Sequence, residues 1–513
     1  MAIAREGKQK SSVVVIGAGI GGLTAGALLA KRGYQVTIFD SAIAPGGCAS
    51  TFQRRGFIFD VGATQVAGLE PGGIHHRIFS ELEVELPETS ICDPACAVFL
   101  PGESKPIKVW RDPVKWQQER QKQFPGSEPF WQSLNKLFLA SWRFQGRDPV
   151  LPPRSLWDLW QLTKAIRLDT LITVPFTFMT VGDALKLYGL YEDKRLKTFL
   201  DLQLKLYSQV DADETALLYA ATALAVSQAP QGLFHLQGSM QTLSDRLVTA
   251  LEKYGGKLFM GHSVEKIQVT AGKVTGVVVR NQKTGRTWTE TATDIVANVT
   301  APNLIKLLES NTSLKTDRAF QNYQRRIEKL PPASGAFVVY LGVKQAAIPP
   351  ECPPHLQFLY NPDEPIGENN SLFVSVSKPN DGRAPAEHAT IIASSFTDVD
   401  LWWQKSQSDY RDFKEQYTAE AIARLGEYFN LSSENIVYTE AATPRTFAKF
   451  TARDKGIVGG VGQRIGTFGP FGLANRTPLT HLWLVGDSTH PGEGTAGVSY
   501  SALTVVRQIE ARE

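Results

Sequence analysis

Apolar residues fall in short runs along this chain, and their period changes from one region to the next. A β-branched run, Val13-Val14-Val15-Ile16, leads into glycines, and a small-residue helical pattern starts at Leu23-Thr24-Ala25-Gly26. The alternating Gln35-Val36-Thr37-Ile38-Phe39 predicts a second strand. Residues 11 to about 65 therefore read β-α-β and then a loop. From about 105 to 240 the patterns turn helical and aromatic. A helix at 243–254, before Gly255-Gly256, returns to the first pattern. Strands follow at 257–260, 264–269, 274–280 and 287–292, with a hairpin turn at 281–285 and a buried strand at 294–298. Between about 330 and 450, strands at 335–341, 372–377 and 390–395 mix with a helix at 410–429. A last strand is expected at 481–485.

The first helical pattern is preceded by Gly17-Ala18-Gly19-Ile20-Gly21-Gly22, a G-x-G-x-x-G in strand–turn–helix context. Gly17 permits the tight turn, Gly19 lets the backbone approach a pyrophosphate, and Gly22 lets helix and strand pack closely. The helix start offers free N–H groups and partial positive charge to phosphates. Asp40 ends the second strand, where a carboxylate accepts from a ribose 2′-OH and repels a 2′-phosphate. That pattern selects FAD or NAD over NADP.

Two further segments favour FAD. Ser41 to Thr51 holds Pro45-Gly46-Gly47-Cys48, a turn able to wrap a loop over a cofactor, and Phe57-Ile58-Phe59-Asp60-Val61-Gly62-Ala63-Thr64 brings a strand back toward it. Near the end, Leu482-Trp483-Leu484-Val485 runs into Gly486-Asp487, where an aspartate can bind a polyol chain. FAD has such a chain and NAD does not. Glycines after Asp487 leave room for a flat ring, and the next helix can aim its N-terminus at the ring's N1–C2=O edge. The expected fold is α/β: a discontinuous Rossmann-like FAD domain (11–100, 241–305, 456–513), a mixed-sheet substrate domain (306–455) and a helical, membrane-proximal cap (101–240).

Composition changes this picture little. A net charge of +3 argues against a nucleic-acid partner, and four scattered cysteines do not form a disulfide framework. Cys92 and Cys96 lack a second pair for zinc, and His75-His76 lacks companion carboxylates, so no metal is expected. Arg5, Lys8 and Lys10 precede no apolar signal core. No stretch reaches the ~18 apolar residues of a membrane span. Trp110, Trp116, Trp131, Trp142, Trp157 and Trp160, interleaved with Lys and Arg, fit either a core or an interfacial belt. The expectation is peripheral attachment on the cytoplasmic side. His490 and His235 read as acid/base groups or as structural histidines, and Glu493 as facing flavin or solvent. No catalytic residue is named.

These segments together resemble the FAD-dependent carotenoid desaturase/isomerase family of the bacterial phytoene desaturase type. The resemblance covers residues 11 to 510 and rests on 17–22 with Asp40, Gly46-Gly47, 57–62, 238–256 with Val264, and Gly486-Asp487-Ser488-Thr489-His490-Pro491-Gly492. Residues 51–77, including Pro71-Gly72-Gly73-Ile74-His75-His76, most resemble cyanobacterial C-3′,4′ desaturases. That likeness implies desaturation of acyclic or monocyclic carotenoids on the way to carotenoid glycosides (myxoxanthophylls), with quinone, oxygen or another acceptor taking the electrons. It leaves three rivals: a prolycopene cis–trans isomerase using reduced FAD, a saturase running in reverse, and a flavin-containing carotenoid carrier without turnover. The implied FAD contacts are Gly17, Gly19, Ile20, Gly21, Gly22, Asp40, Ser41, Gly46, Gly47, Cys48, Gly62, Ala63, Thr64, Val264, Gly486, Asp487, Gly494, Gly497 and Val498. Many relatives carry Arg where this chain has Cys48, so a charge contact to the cofactor is expected to be missing.

Overall fold

Strand Ser12–Ile16 lies in the middle of a five-stranded parallel sheet, in the order Leu482–Leu484, Asp294–Ala297, Ser12–Ile16, Gln35–Asp40, Lys257–Met260. The computed structural model describes residues 11–512, so the stretch holding Arg5, Lys8 and Lys10 lies outside the described residues. Register brings aliphatic neighbours together: Val14 is level with Ile295, and Ile295 with Leu482. The chain enters this sheet at its start, middle and end: Ser12–Ile16 pairs on one side with the next strand, Gln35–Asp40, and on the other with the distant Asp294–Ala297.

Helix Ile20–Lys31 packs on this sheet and is buried along almost its whole length. Helices Gln241–Lys253 and Thr495–Glu510 flank it. Small residues make that contact possible: a Cβ on Gly26 would stand 2.6 Å from Ile38 Cδ1. An antiparallel three-stranded sheet, His262–Thr270, Lys273–Asn281 and Thr287–Thr291, completes this half.

The second large sheet has seven strands, in the order Ile436–Ala442, Gly335–Lys344, His388–Thr397, Ser371–Val376, His355–Leu359, Cys96–Phe99, Ile107–Val109. Its pairs are antiparallel except His355–Leu359 with Cys96–Phe99. The chain therefore crosses into this sheet before residue 100, inside a segment that the sequence pattern assigns to the nucleotide unit. Helix Gln407–Leu425 covers one face, with Trp402 stacked on Phe337 at 5.6 Å. The expected helix at 410–429 thus starts earlier, after the Ser406 cap, and stops before Gly426.

Between residues 113 and 225 the chain forms a helical cap. Trp116 and Trp131 are buried in it, edge to face at 5.8 Å, and Trp110 packs half-buried against the same cluster. These three are core residues. Among the six tryptophans of this region only Trp160 is exposed.

Candidate functional site

A cavity of about 1190 Å³ opens where the parallel sheet, the seven-stranded sheet and the cap meet. All the sequence-derived contact positions line it except Gly22. Gly22 sits behind the loop instead: a Cβ there would lie 2.0 Å from the Gly17 carbonyl oxygen. Its role is close packing, which keeps Gly17 (φ 96°) turned and lets Gly17 N–H donate to Phe39 O at 2.8 Å.

At the glycine end, helix Ile20–Lys31 begins at Gly19 with no side-chain cap. Its first N–H groups are left for a ligand, and the helix dipole favours an anion there. Helix Thr495–Glu510 begins at Gly494, also without a side-chain cap, and turns its start toward the same cavity. Gly46 N–H donates to Ala18 O at 2.8 Å, so the Gly46-Gly47 turn lies against the first loop. Ala63 N–H donates to Cys48 O at 3.3 Å and joins the next wall.

Asp40 is fixed by two backbone donors, Ala18 N–H at 2.6 Å and Ala42 N–H at 2.7 Å. Burial raises its carboxyl above the ordinary carboxylate range, and these two donors oppose that shift. Each oxygen keeps an acceptor site toward the cavity. Asn298, at the end of strand Asp294–Ala297, was not legible in the sequence. Its side chain would lie 2.9 Å from a Cβ on Gly19, and it lines the cavity between the glycine loop and Gly486.

Sequence reasoning also missed Arg453. Its guanidinium pairs with the Asp487 carboxylate at 2.7 Å, and the Ile457 carbonyl holds its Nε. Arg453 acts electrostatically on Cys48. Cys48 supplies no positive charge at this wall, and Arg453 brings one from a remote segment, paired with Asp487. Burial pushes the Cys48 thiol up, so it is not a thiolate nucleophile.

Glu493 neither faces solvent freely nor pairs with a cation. Its Oε2 accepts from Gln209 Nε2 at 3.0 Å, and Oε1 is buried without a hydrogen-bond partner. Gly459 (φ 71°) makes the room: a Cβ there would stand 2.0 Å from Glu493 Oε2. Burial, with the Asp487 charge adding, holds this carboxyl protonated well above the ordinary range. His490 lines the cavity between Phe468 and Tyr500, and burial lowers it to about 4, so the imidazole is neutral.

His235 does not line the cavity. It hydrogen-bonds Asp381 at 3.0 Å in a buried cluster with Arg383 and Asp60. His75 is buried, and desolvation lowers it to about 4. Among the described residues no group of three His, Cys, Asp or Glu side chains could hold a metal.

The residues fit FAD. Two uncapped helix starts, a backbone-fixed carboxylate, glycine walls that a Cβ would fill and a second aspartate all converge on one cavity. The glycine loop and Asp40 would hold the nucleotide, with Ser263 and Val264 beside it; Asp487 and the start of helix Thr495–Glu510 would hold the flavin end. Leu206, Leu218, Leu233, Val338, Phe373 and Phe396 form an apolar wall of the same cavity.

A family model for an NAD(P)-binding Rossmann-like domain matches residues 15–82. Prolycopene isomerase 1 of an Oncidium hybrid cultivar is 27% identical over 99% of this chain and 85% of its own length. A zeta-carotene-forming phytoene desaturase of Myxococcus xanthus is 24% identical over 98% of this chain and 94% of its own. Among solved structures, an oxidoreductase from Methanosarcina mazei superposes with a TM-score of 0.62 at 17% identity, covering 97% of this chain and 100% of its own. The chain thus has an α/β fold with a Rossmann-like nucleotide-binding unit, and it is similar along nearly its whole length to carotenoid isomerases and desaturases.

Proposed function

We propose that this protein acts on a carotenoid, and that its reaction is C-3′,4′ desaturation of an acyclic or monocyclic carotenoid. One observation carries the reading: a single cavity of about 1190 Å³ holds both the flavin cradle and an apolar arm lined by aliphatic and aromatic side chains. A polyene could lie in that arm with one end against the flavin region, away from water. Bound FAD would supply two-electron chemistry there.

The chain's own residues position and shelter. The aliphatic and aromatic wall replaces hydration of an apolar substrate. His490 and Glu493, both neutral, add no charge that would draw water into the arm. Protonated Glu493 is the group that can hold a proton at the junction of the two regions. A polyene spreads positive charge over many carbons, so a strong base is not needed beside it. Electrons leave to an acceptor such as a quinone or oxygen.

The likeness to prolycopene isomerases favours a second reading, mass-neutral cis–trans isomerisation with reduced FAD. A parallel assay separates the two. A 3′,4′-dihydro carotenoid and prolycopene are each offered in vesicles, under oxidising and reducing conditions. Desaturation removes two hydrogens, shifts absorption to the red and needs an oxidant. Conversion of prolycopene alone, without mass change and under reducing conditions, would overturn the first reading. Tight retention of either carotenoid unchanged would favour the carrier.

A further inference from the structure

Helix Leu156–Ala165 is built inside out. Its inward face is polar: Asp158 is fully buried and accepts from Arg476 Nε at 2.9 Å and Gln508 Nε2 at 3.0 Å, while Gln161 Oε1 accepts from Arg507 Nη2 at 3.0 Å. Its outward face is apolar: Leu156 is 87% exposed and Trp160 60%. A helix on a water-facing surface is ordinarily arranged the other way.

The segment that follows continues the pattern. Leu168 is 87% exposed and Phe178 67%, and Leu171 and Val174 are exposed between them. Phe178 meets Phe471 with ring centroids 5.7 Å apart, which ties in a second loop. A continuous apolar surface of this kind marks an interaction site.

Two further features identify the partner. Charge is arranged for an anionic surface: Lys164 and Arg167 are exposed within the patch, and Lys164 Nζ lies over the Trp160 ring at 5.9 Å. The nearby carboxylates are paired, the buried Asp158 with Arg476 and the part-exposed Asp169 with Arg147. In addition, Leu162, Ile166, Leu171 and Val174 line the cavity from this same segment, as do Phe468 and Pro470 from the second loop. The exposed patch and the apolar arm are therefore one continuous surface.

We infer that residues 156–178, with the 468–471 loop, lie in the interface of an anionic lipid bilayer and open the cavity directly to the acyl region. No helix among the described residues is long and apolar enough to cross a membrane, so the protein lies on the bilayer through this face. The assignment moves attachment from the tryptophan belt expected at 110–160 to an aliphatic patch in which Trp160 is the aromatic anchor. It rests on the carotenoid reading only for its purpose, the delivery of an apolar substrate.

The test uses holo-protein and carotenoid-free vesicles, so its outcome does not depend on which reaction is catalysed. The protein should float with vesicles of phosphatidylcholine and phosphatidylglycerol. The triple variant Leu156→Glu, Leu168→Glu, Phe178→Glu should lose at least tenfold in partitioning, with FAD content and thermal transition unchanged. Val437→Glu, on the far sheet edge, should float like the wild type. Lys164→Glu with Arg167→Glu should weaken flotation severalfold with anionic vesicles only. Brominated lipid should quench wild-type fluorescence, and Trp160→Phe should remove most of that quenching. Wild-type protein that stays at the bottom, or a triple variant that floats unchanged, overturns the inference. So does a dimer in sedimentation that the triple substitution dissociates, because the patch would then cover a second copy of the chain.

Discussion

Replacing Arg383 with Met should expose how strongly the fold depends on one buried cation. Arg383 is 2% exposed and donates to Asp60 Oδ2, Asp381 Oδ2 and Leu236 O, each at 3.0 Å. Met fills similar volume but donates nothing. Asp60, 1% exposed, would keep only the Met240 N–H at 2.8 Å. Breaking a buried pair by removing one partner costs about 3–5 kcal/mol, and the stranded Leu236 carbonyl adds about 1 kcal/mol. A loss of ~4 kcal/mol should lower the thermal transition on the order of 5–10 °C.

The loss should depend on pH. Burial already raises the Asp60 carboxyl above its ordinary value, and Arg383 opposes that shift. Without Arg383 the folded-state value rises further, so the unfolded chain releases this proton first. Stability of the variant then falls as pH climbs above about 4, the unfolded carboxylate range, by up to ~1.4 kcal/mol per pH unit until the folded value is reached. Thermal melts followed by flavin release, from about pH 5 to about pH 8, should show wild type and variant converging toward acid. A deficit under ~1 kcal/mol, or one that does not change with pH, would show that Arg383 does not keep Asp60 ionised in the folded protein.

Three other outcomes follow from the site. Gly22→Ala forces a Cβ against the Gly17 carbonyl, 2.0 Å away, and should give folded protein that purifies with little FAD, read as flavin-to-protein absorbance. Asp40→Ala removes an acceptor fixed by two backbone donors and should weaken FAD binding by about 1.5–3 kcal/mol, roughly tenfold to a hundredfold in a fluorescence titration; unchanged affinity would remove Asp40 from the site. Glu493→Gln should gain stability relative to wild type as pH rises: the folded-state value of Glu493 lies well above the unfolded one, so wild type loses stability from about pH 4.3 upward and the Gln variant does not. Parallel stability curves for the two proteins between about pH 5 and about pH 9 would show that Glu493 is already ionised in the folded state.

What the sequence displayed is what short-range pattern can encode. Strand Lys257–Met260 matches its expected bounds, because Gly255-Gly256 and Gly261 bracket it. The glycine loops were visible because a turn against a helix start admits little else. Strands Cys96–Phe99 and His355–Leu359 were not visible: each is short, Pro353-Pro354 precedes the second, and their parallel pairing joins segments far apart in the chain. The same holds for the site. Asn298, Gln209 and Arg453 carry no local signature, and only tertiary folding places Arg453 beside Asp487 and Gln209 beside Glu493. The tryptophans left core and interfacial belt both open, because density along the chain does not distinguish Trp116, buried against Trp131, from exposed Trp160. The orientation of helix Leu156–Ala165 could be read only once Asp158 was seen facing Arg476.

If one cavity sets FAD against a carotenoid, pigment conversion requires bound flavin. The most direct test is pigment conversion by a single preparation stripped of flavin and then reconstituted, with carotenoid supplied in vesicles and products separated by chromatography and mass. Stripped protein should convert nothing, FAD should restore conversion and FMN should not. Conversion that persists without flavin, or none from any carotenoid offered with FAD under either redox condition, would contradict that arrangement.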